Sequence, residues 1–137
     1  MTVIDTNVLS EEMKIAPNPA VLAWFAKQSP GNLFTTAVCE AEIRLGLKLL
    51  PDGQRKRDLE AAANRILALF AGRIVPFDSA AATTYALIVS HRRSIGRPIN
   101  DFDAQIAAIA RSRRLALATR NLVDFEDTGV ELVNPWA

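Results

Sequence analysis

Short β-type runs alternate with helical segments along this chain, and that alternation is the feature that most limits its fold. The runs are Thr2-Val3-Ile4, Leu33-Phe34-Thr35-Thr36, Arg73 to Phe77, Leu115 to Thr119 and Val130 to Val133. Asp5-Thr6-Asn7 reads as the exit loop of the first. Asn18-Pro19, a cap residue before a proline suited to a first helical position, opens a helix with the apolar stripe Val21, Leu22, Trp24 and Phe25, ending near Gly31. A second helix runs to about Leu50, where Pro51-Asp52-Gly53 stops it, and a third ends near Gly72. Asp78 or Ser79 caps a fourth that reaches roughly Ser94; Gly96-Arg97-Pro98 breaks it, and Phe102 to Arg113 forms the fifth. Strands alternating with helices predict an α/β fold, a mainly parallel sheet covered by helices. Such sheets hold their ligands at the carboxyl ends of the strands.

The 137 residues suit one domain spanning 1–137, because domains of about 100–150 residues already bury roughly two thirds of the unfolded chain's surface. Lys and Arg number 16 against 15 Asp and Glu, a net charge of +1. There is no global basic field for nucleic acid, so any such binding must come from local patches. The single Cys39 excludes an intramolecular disulfide, and with His91 the only histidine, a thiolate or imidazole zinc cage is excluded too. Oxygen ligands remain. The first residues enter an apolar strand with no basic n-region, and no run of about 18 apolar residues occurs. The expected location is the cytoplasm.

Four acids fall where oxygen ligands would be useful. Asp5 closes the first strand, with helix capping as its alternative role. Around Glu42, at about 100° per residue, Val38, Leu45, Gly46 and Leu49 lie within about 60°, whereas Glu40 and Arg44 fall opposite as a surface i,i+4 pair. Glu42 is therefore expected to point inward, where a carboxylate needs a cation or a buried Arg. Asp103 shares its helical face with Ile106, Ala107 and Ala110 and is expected inward, while Asp101 projects with Gln105 and Ser112; capping is the alternative for both. Asp124 follows another strand end, where turn chemistry is the alternative. Two carboxylates about 4 Å apart repel by roughly 4 kcal/mol at an effective dielectric near 20, so three or four together call for a counter-charge. A hard divalent cation such as Mg2+, which takes oxygen ligands and keeps several waters, supplies it and activates water at a phosphodiester.

Four motifs follow one another in order: Ile4-Asp5-Thr6-Asn7-Val8-Leu9-Ser10, then Ala41-Glu42-Ile43-Arg44-Leu45-Gly46, then Gly96-Arg97-Pro98-Ile99 running to Asp103-Ala104-Gln105-Ile106-Ala107-Ala108, then Thr119-Arg120-Asn121 with Asp124-Phe125. In them the chain resembles the PIN-domain family, and especially the VapC- and FitB-type toxins of type II toxin–antitoxin systems, over essentially its whole length. The resemblance implies a three-layer PIN-like fold with a mainly parallel sheet of about five strands. It also implies a Mg2+-dependent endoribonuclease, with Mn2+ a substitute, that hydrolyses RNA phosphodiesters. By the same resemblance Asp5 and Asp103 are the principal metal ligands, Glu42 the third acid and Asp124 the fourth, Asn121 standing where some relatives carry that acid. Thr6 and Thr119 are candidates for hydrogen bonds to ligands or water. The implied mechanism is in-line attack by cation-activated water, leaving 5′-phosphate and 3′-hydroxyl ends. The implied partner is a cognate antitoxin with a DNA-binding domain, and the implied assembly a homodimer. The surfaces around Trp24-Phe25 and Leu45 to Leu50 are candidate contacts, with core packing the alternative.

Arg92, Arg93 and Arg97 precede Asp103, and Arg111, Arg113, Arg114 and Arg120 follow it, so basic side chains are candidates to track an RNA backbone; a solvated helix face is the alternative. Arg55-Lys56-Arg57 reads as such a face. Two rival functions fit the same chain. One is an aspartyl-phosphate phosphotransferase with Asp5 as nucleophile, although Asn7 stands where a second acid is expected and no Lys sits near a later strand end. The other is a non-catalytic RNA- or protein-binding module.

Overall fold

Val3 and Ile4 are β-branched and wholly buried, as a strand covered on both faces requires, and β1 (Thr2–Ile4) is accordingly the middle strand of the sheet. The computed structural model describes residues 1–137. On one side β1 pairs with β2 (Leu33–Thr36), which pairs with β3 (Ile74–Val75); on the other it pairs with β4 (Ala116–Ala118), which pairs with β5 (Leu132–Val133). All four pairings are parallel, and Thr2 lies opposite both Leu33 and Ala116. In the order β3-β2-β1-β4-β5 the chain moves outward through β3, then returns to the far side of β1. That reversal leaves a crevice beyond the carboxyl ends of β1 and β4, the place where open α/β sheets bind ligands.

Six helices cover the sheet: α1 (Thr6–Glu12), α2 (Pro19–Ala26), α3 (Ala37–Lys48), α4 (Gln54–Leu69), α5 (Ser79–Ser94) and α6 (Asp101–Ser112). Most begin on a side-chain cap: Asn18 for α2, Thr36 for α3, Asp78 for α5 and Asn100 for α6 each accept a backbone N–H of the first turn. α6 is buried almost all round, with Ala104, Ile106, Ala107, Ala108, Ile109 and Ala110 shielded from solvent. Its alanines let α3, α5 and β4 approach it together. Thr35, wholly buried, donates its hydroxyl to the Ile4 carbonyl at 2.9 Å and ties β2 to β1 beyond the ladder.

Three expectations change. Asp5-Thr6-Asn7 is not an exit loop, because α1 starts directly at Thr6 with Asp5 as its cap. Its Thr-Asn-Val start is weakly helical, and burial of Val8 and Leu9 stabilises it instead. α2 stops at Ala26, well before Gly31; Pro30 opens a separate 3-10 turn, Pro30–Asn32. On α3 the buried stripe is Val38, Cys39, Ile43 and Leu47, while Leu45 and Leu49 are 53% and 75% exposed. Glu42 therefore sits on the flank of that stripe, about 100° round from Ile43, and not on a fully apolar face.

Because Ala107 is wholly buried where α6 packs against α3, α5 and β4, Ala107→Leu is expected to destabilise the fold by about 1–3 kcal/mol through overpacking. Urea denaturation would show this as a lowered midpoint, and an unchanged midpoint would mean that α6 packs more loosely than this.

Candidate active site

Asp5 follows β1 and reaches β4 through its own backbone, its N–H donating to the Ala118 carbonyl at 3.0 Å. Its side chain is only 4% exposed. Oδ1 accepts the Thr6 N–H at 2.8 Å, and Oδ2 accepts the Thr119 hydroxyl at 2.7 Å and the Asn7 amide at 3.2 Å. Burial pushes the Asp5 carboxyl above its usual range, against these three hydrogen bonds, which pull it down. The Cys39 Sγ lies 4.0 Å from Oδ1, its thiol pushed up to about 12 by burial and by Asp5, so it stays neutral.

Glu42 Oε1 accepts the Thr6 hydroxyl at 2.8 Å, which links α3 to the first turn of α1. No Arg pairs with it. Burial again raises its carboxyl, with a smaller contribution from Asp5. Asp103 lies in the first turn of α6, where Asn100 both accepts its N–H at 2.8 Å and donates to its Oδ2 at 2.9 Å. Its carboxyl is pushed up to about 6, first by burial and then by the charges of Asp5, Asp124 and Glu42. Asp124 is exposed, in the 3-10 turn Leu122–Phe125, yet its charge reaches both Asp5 and Asp103. Asn121 is also exposed, and its N–H donates to the Thr119 hydroxyl at 3.1 Å.

All four acids thus share one edge of the sheet. None of the six ion pairs of the chain includes any of them. The donor set is all oxygen and lacks a basic partner, which fits a hard divalent cation. No three carboxylates converge into a closed cage; Mg2+ commonly takes one or two carboxylates and fills the rest of its octahedron with water, so an open set suits it.

The model of the family described as PIN domain matches residues 2–130. The chain belongs to the PIN-domain family. This PIN domain is 41% identical over 137 residues to Toxin FitB of Neisseria gonorrhoeae, covering 99% of each chain. It is 38% identical over 137 residues to VapC ribonuclease Y4jK of Sinorhizobium fredii, covering 99% of this chain and 98% of that one. Its backbone matches a structure of FitAB bound to an IR36 DNA fragment with a TM-score of 0.93 at 39% identity, covering 100% of this chain and 96% of that one.

The PIN domain sorts its arginines differently from their sequence positions. Arg92 is 5% exposed and cannot meet RNA: it donates to the carbonyls of Arg97 at 2.6 Å, Asp124 at 3.1 Å and Glu126 at 2.8 Å. Arg97 is bound to Glu126 and Asp127. Arg113 pairs with Asp78, and Arg111 donates to the Thr128 carbonyl. Arg111, Arg113 and Arg114 lie at the far end of α6, about 12–17 Å along the helix from Asp103. Those three are not placed to track a strand across the acids.

Three residues support the site in roles that the sequence reading does not give them. Asn7 joins Asp5, Thr119 and the Arg120 N–H. Asn100 orients Asp103, and its place three residues earlier, at a helix start, was a legible signal. Arg92 lies four residues after buried Ile88 on α5, so the helical stripe itself marked it as internal.

The raised acids set the pH response of the metal-free PIN domain. Asp103 titrates at about 6 in the fold against 3.8 for the free side chain, so the folded state holds the extra proton between those values. Stability therefore falls as pH rises through that window. Asp103→Asn is expected to flatten the fall and, at neutral pH, to stabilise the EDTA-treated protein by roughly 1 kcal/mol, partial exposure reducing the full linkage value. Denaturation across that pH range decides; a wild type that gains stability on the way up would contradict it.

Proposed function

We propose that this PIN domain is a Mg2+-dependent endoribonuclease acting as the toxin of a type II toxin–antitoxin pair. The observation that carries the reading is the set Asp5, Glu42 and Asp103, gathered at one strand edge with no basic partner. Relatives named as a toxin and as a ribonuclease, each matched over nearly the whole chain, support it. Asp5 and Asp103 would hold the cation, with Mn2+ a substitute; Glu42 is the third acid and Asp124 the fourth. When bound, the cation supplies Lewis-acid activation of water and charge stabilisation at a phosphodiester.

The residues of the chain do the positioning. Thr119 and Asn7 aim the Asp5 carboxylate, Asn100 aims Asp103, and Thr6 holds Glu42. Burial raises the Glu42 carboxyl, the direction that favours proton exchange by an acid at this edge. Asp124, exposed at the rim, is free to face substrate or solvent. Asp5 as a phosphorylated nucleophile fits less well, since Asn7 stands where a second acid is expected and the hydrogen-bond partners of Asp5 include no Lys.

The structures similar to this chain include FitAB, FitAcB and VapBC assemblies. By extension the partner here is an antitoxin with a DNA-binding domain, and the exposed Leu45 of α3 and Leu49 just after it are candidate homodimer contacts. Trp24 and Phe25 pack partly against the core and are less available. No helix is long and apolar enough to cross a membrane, and the expected location stays the cytoplasm.

Purified protein freed of any partner is expected to cleave a mixed RNA pool with Mg2+ or Mn2+ and not with EDTA. Asp5→Asn and Asp103→Asn should each slow cleavage by about 100-fold or more. Cleavage that survives EDTA and both substitutions, or products ending in 2′,3′-cyclic phosphate, would sink the proposal.

A further inference from the structure

The acids that would hold a cation also repel the polyanion they would cut, so the edge needs a positive group that the acids do not neutralise. Arg120 is placed for this. It follows Thr119 at the carboxyl end of β4 and is exposed, and none of the ion pairs includes its guanidinium. Its backbone is locked to the site: the Arg120 N–H donates to Asn7 Oδ1 at 3.2 Å, and the same Asn7 donates to Asp5 Oδ2 at 3.2 Å. Its guanidinium lies over the ring of Trp136, 5.0 Å from the centroid. Trp136 in turn packs against the core, and its backbone N–H donates to Asn134 Oδ1 at 3.0 Å.

We propose that Arg120, held over the ring of Trp136, binds a backbone phosphate of single-stranded RNA adjacent to the one presented to the acids. This rests on the ribonuclease reading above and adds the substrate-contact residue. A guanidinium attracted to an indole face keeps its N–H donors uncommitted, and their planar fork can meet a phosphate bidentately. Arg93 and Arg114 are exposed as well, but Arg114 sits at the other end of α6, and Arg93 acts near Tyr85 and Asp101. Neither is tied to Asp5. Glu11 lies within the field of Arg120, yet its oxygens are taken by Lys14 at 2.9 Å and the Asn18 N–H at 3.1 Å.

The test measures kcat and KM on a short mixed-sequence single-stranded RNA pool with Mg2+ or Mn2+ at several salt concentrations. Arg120→Gln is expected to raise KM about 10-fold with kcat within about 2-fold, as loss of one charge-assisted contact does. The dependence of log KM on log salt should flatten by about 0.7, one phosphate contact on a single strand. Trp136→Leu keeps the charge but frees it, so KM rises by about 3-fold with the salt dependence unchanged; Trp136→Phe, which retains an aromatic face, falls between and guards against misfolding of the leucine variant. Arg55→Gln on α4 removes a remote charge and should match the wild type. A wild type that cleaves RNA while Arg120→Gln keeps its KM and salt dependence, or loses only kcat, overturns this assignment alone. A wild type that cleaves nothing overturns the ribonuclease reading and this assignment with it.

Discussion

The hydrogen bond from the Thr119 hydroxyl to Asp5 Oδ2, 2.7 Å long, closes the ends of β1 and β4 at the point where the strand order reverses. Much of the architecture hangs on it. Asp5 at once gives the backbone N–H that ends the β1–β4 ladder, caps α1 and is the most buried acid of the site. A carboxylate removed from water costs several kcal/mol unless donors replace the water. Thr6, Asn7 and Thr119 supply those donors, and each comes from sequence next to Asp5 or from the adjoining strand end. One side chain therefore fixes where β1 ends, where α1 begins and where the functional edge lies.

The protein buries its acids with neutral donors and not with arginine, and the choice has a chemical consequence. An arginine paired to Glu42 or Asp103 would satisfy the carboxylate and also remove it as a ligand. Hydroxyl and amide donors orient the same oxygens without cancelling their charge. The residual strain shows in the raised carboxyls of Asp5, Glu42 and Asp103, for which burial is the first cause and mutual repulsion contributes. A proton relieves it at low pH, and under the proposed function a divalent cation would relieve it at neutral pH.

The sheet and its helices were legible because their signals are local. The strand at Leu33–Thr36 and the caps at Asn18 and Asp78 depend on neighbours in sequence and stand where the pattern puts them. What depended on tertiary packing was not legible. α1 lacks helical propensity and is held by buried Val8 and Leu9. Hydrophobicity alone groups Leu45 and Leu49 with Glu42 on the α3 wheel, but tertiary neighbours decide the buried face, and the core takes Cys39, Ile43 and Leu47 instead. Glu42 still reaches the acid edge, but through Thr6 at the border of the buried stripe. Asp103 was read inward from its face and does feel the other acids.

Arginine shows most clearly why proximity in sequence is a poor guide to role. Arg92 and Arg120 both flank the acidic motifs, yet one is sealed inside and the other is open to solvent. Arg92 has no carboxylate partner; carbonyls of Arg97, Asp124 and Glu126 satisfy it, so its charge stitches the turn before Asp103 to the turn carrying Asp124. Three backbone acceptors suffice because the guanidinium spreads its charge over several donors and is weakly hydrated, which lowers the cost of burying it. Placing the cation beneath the two turns, and not among the carboxylates, lets it position the acids without quenching them. In a chain with a net charge of only +1, attraction for a polyanion then depends on where the few uncommitted cations stand, and at this edge that cation is Arg120.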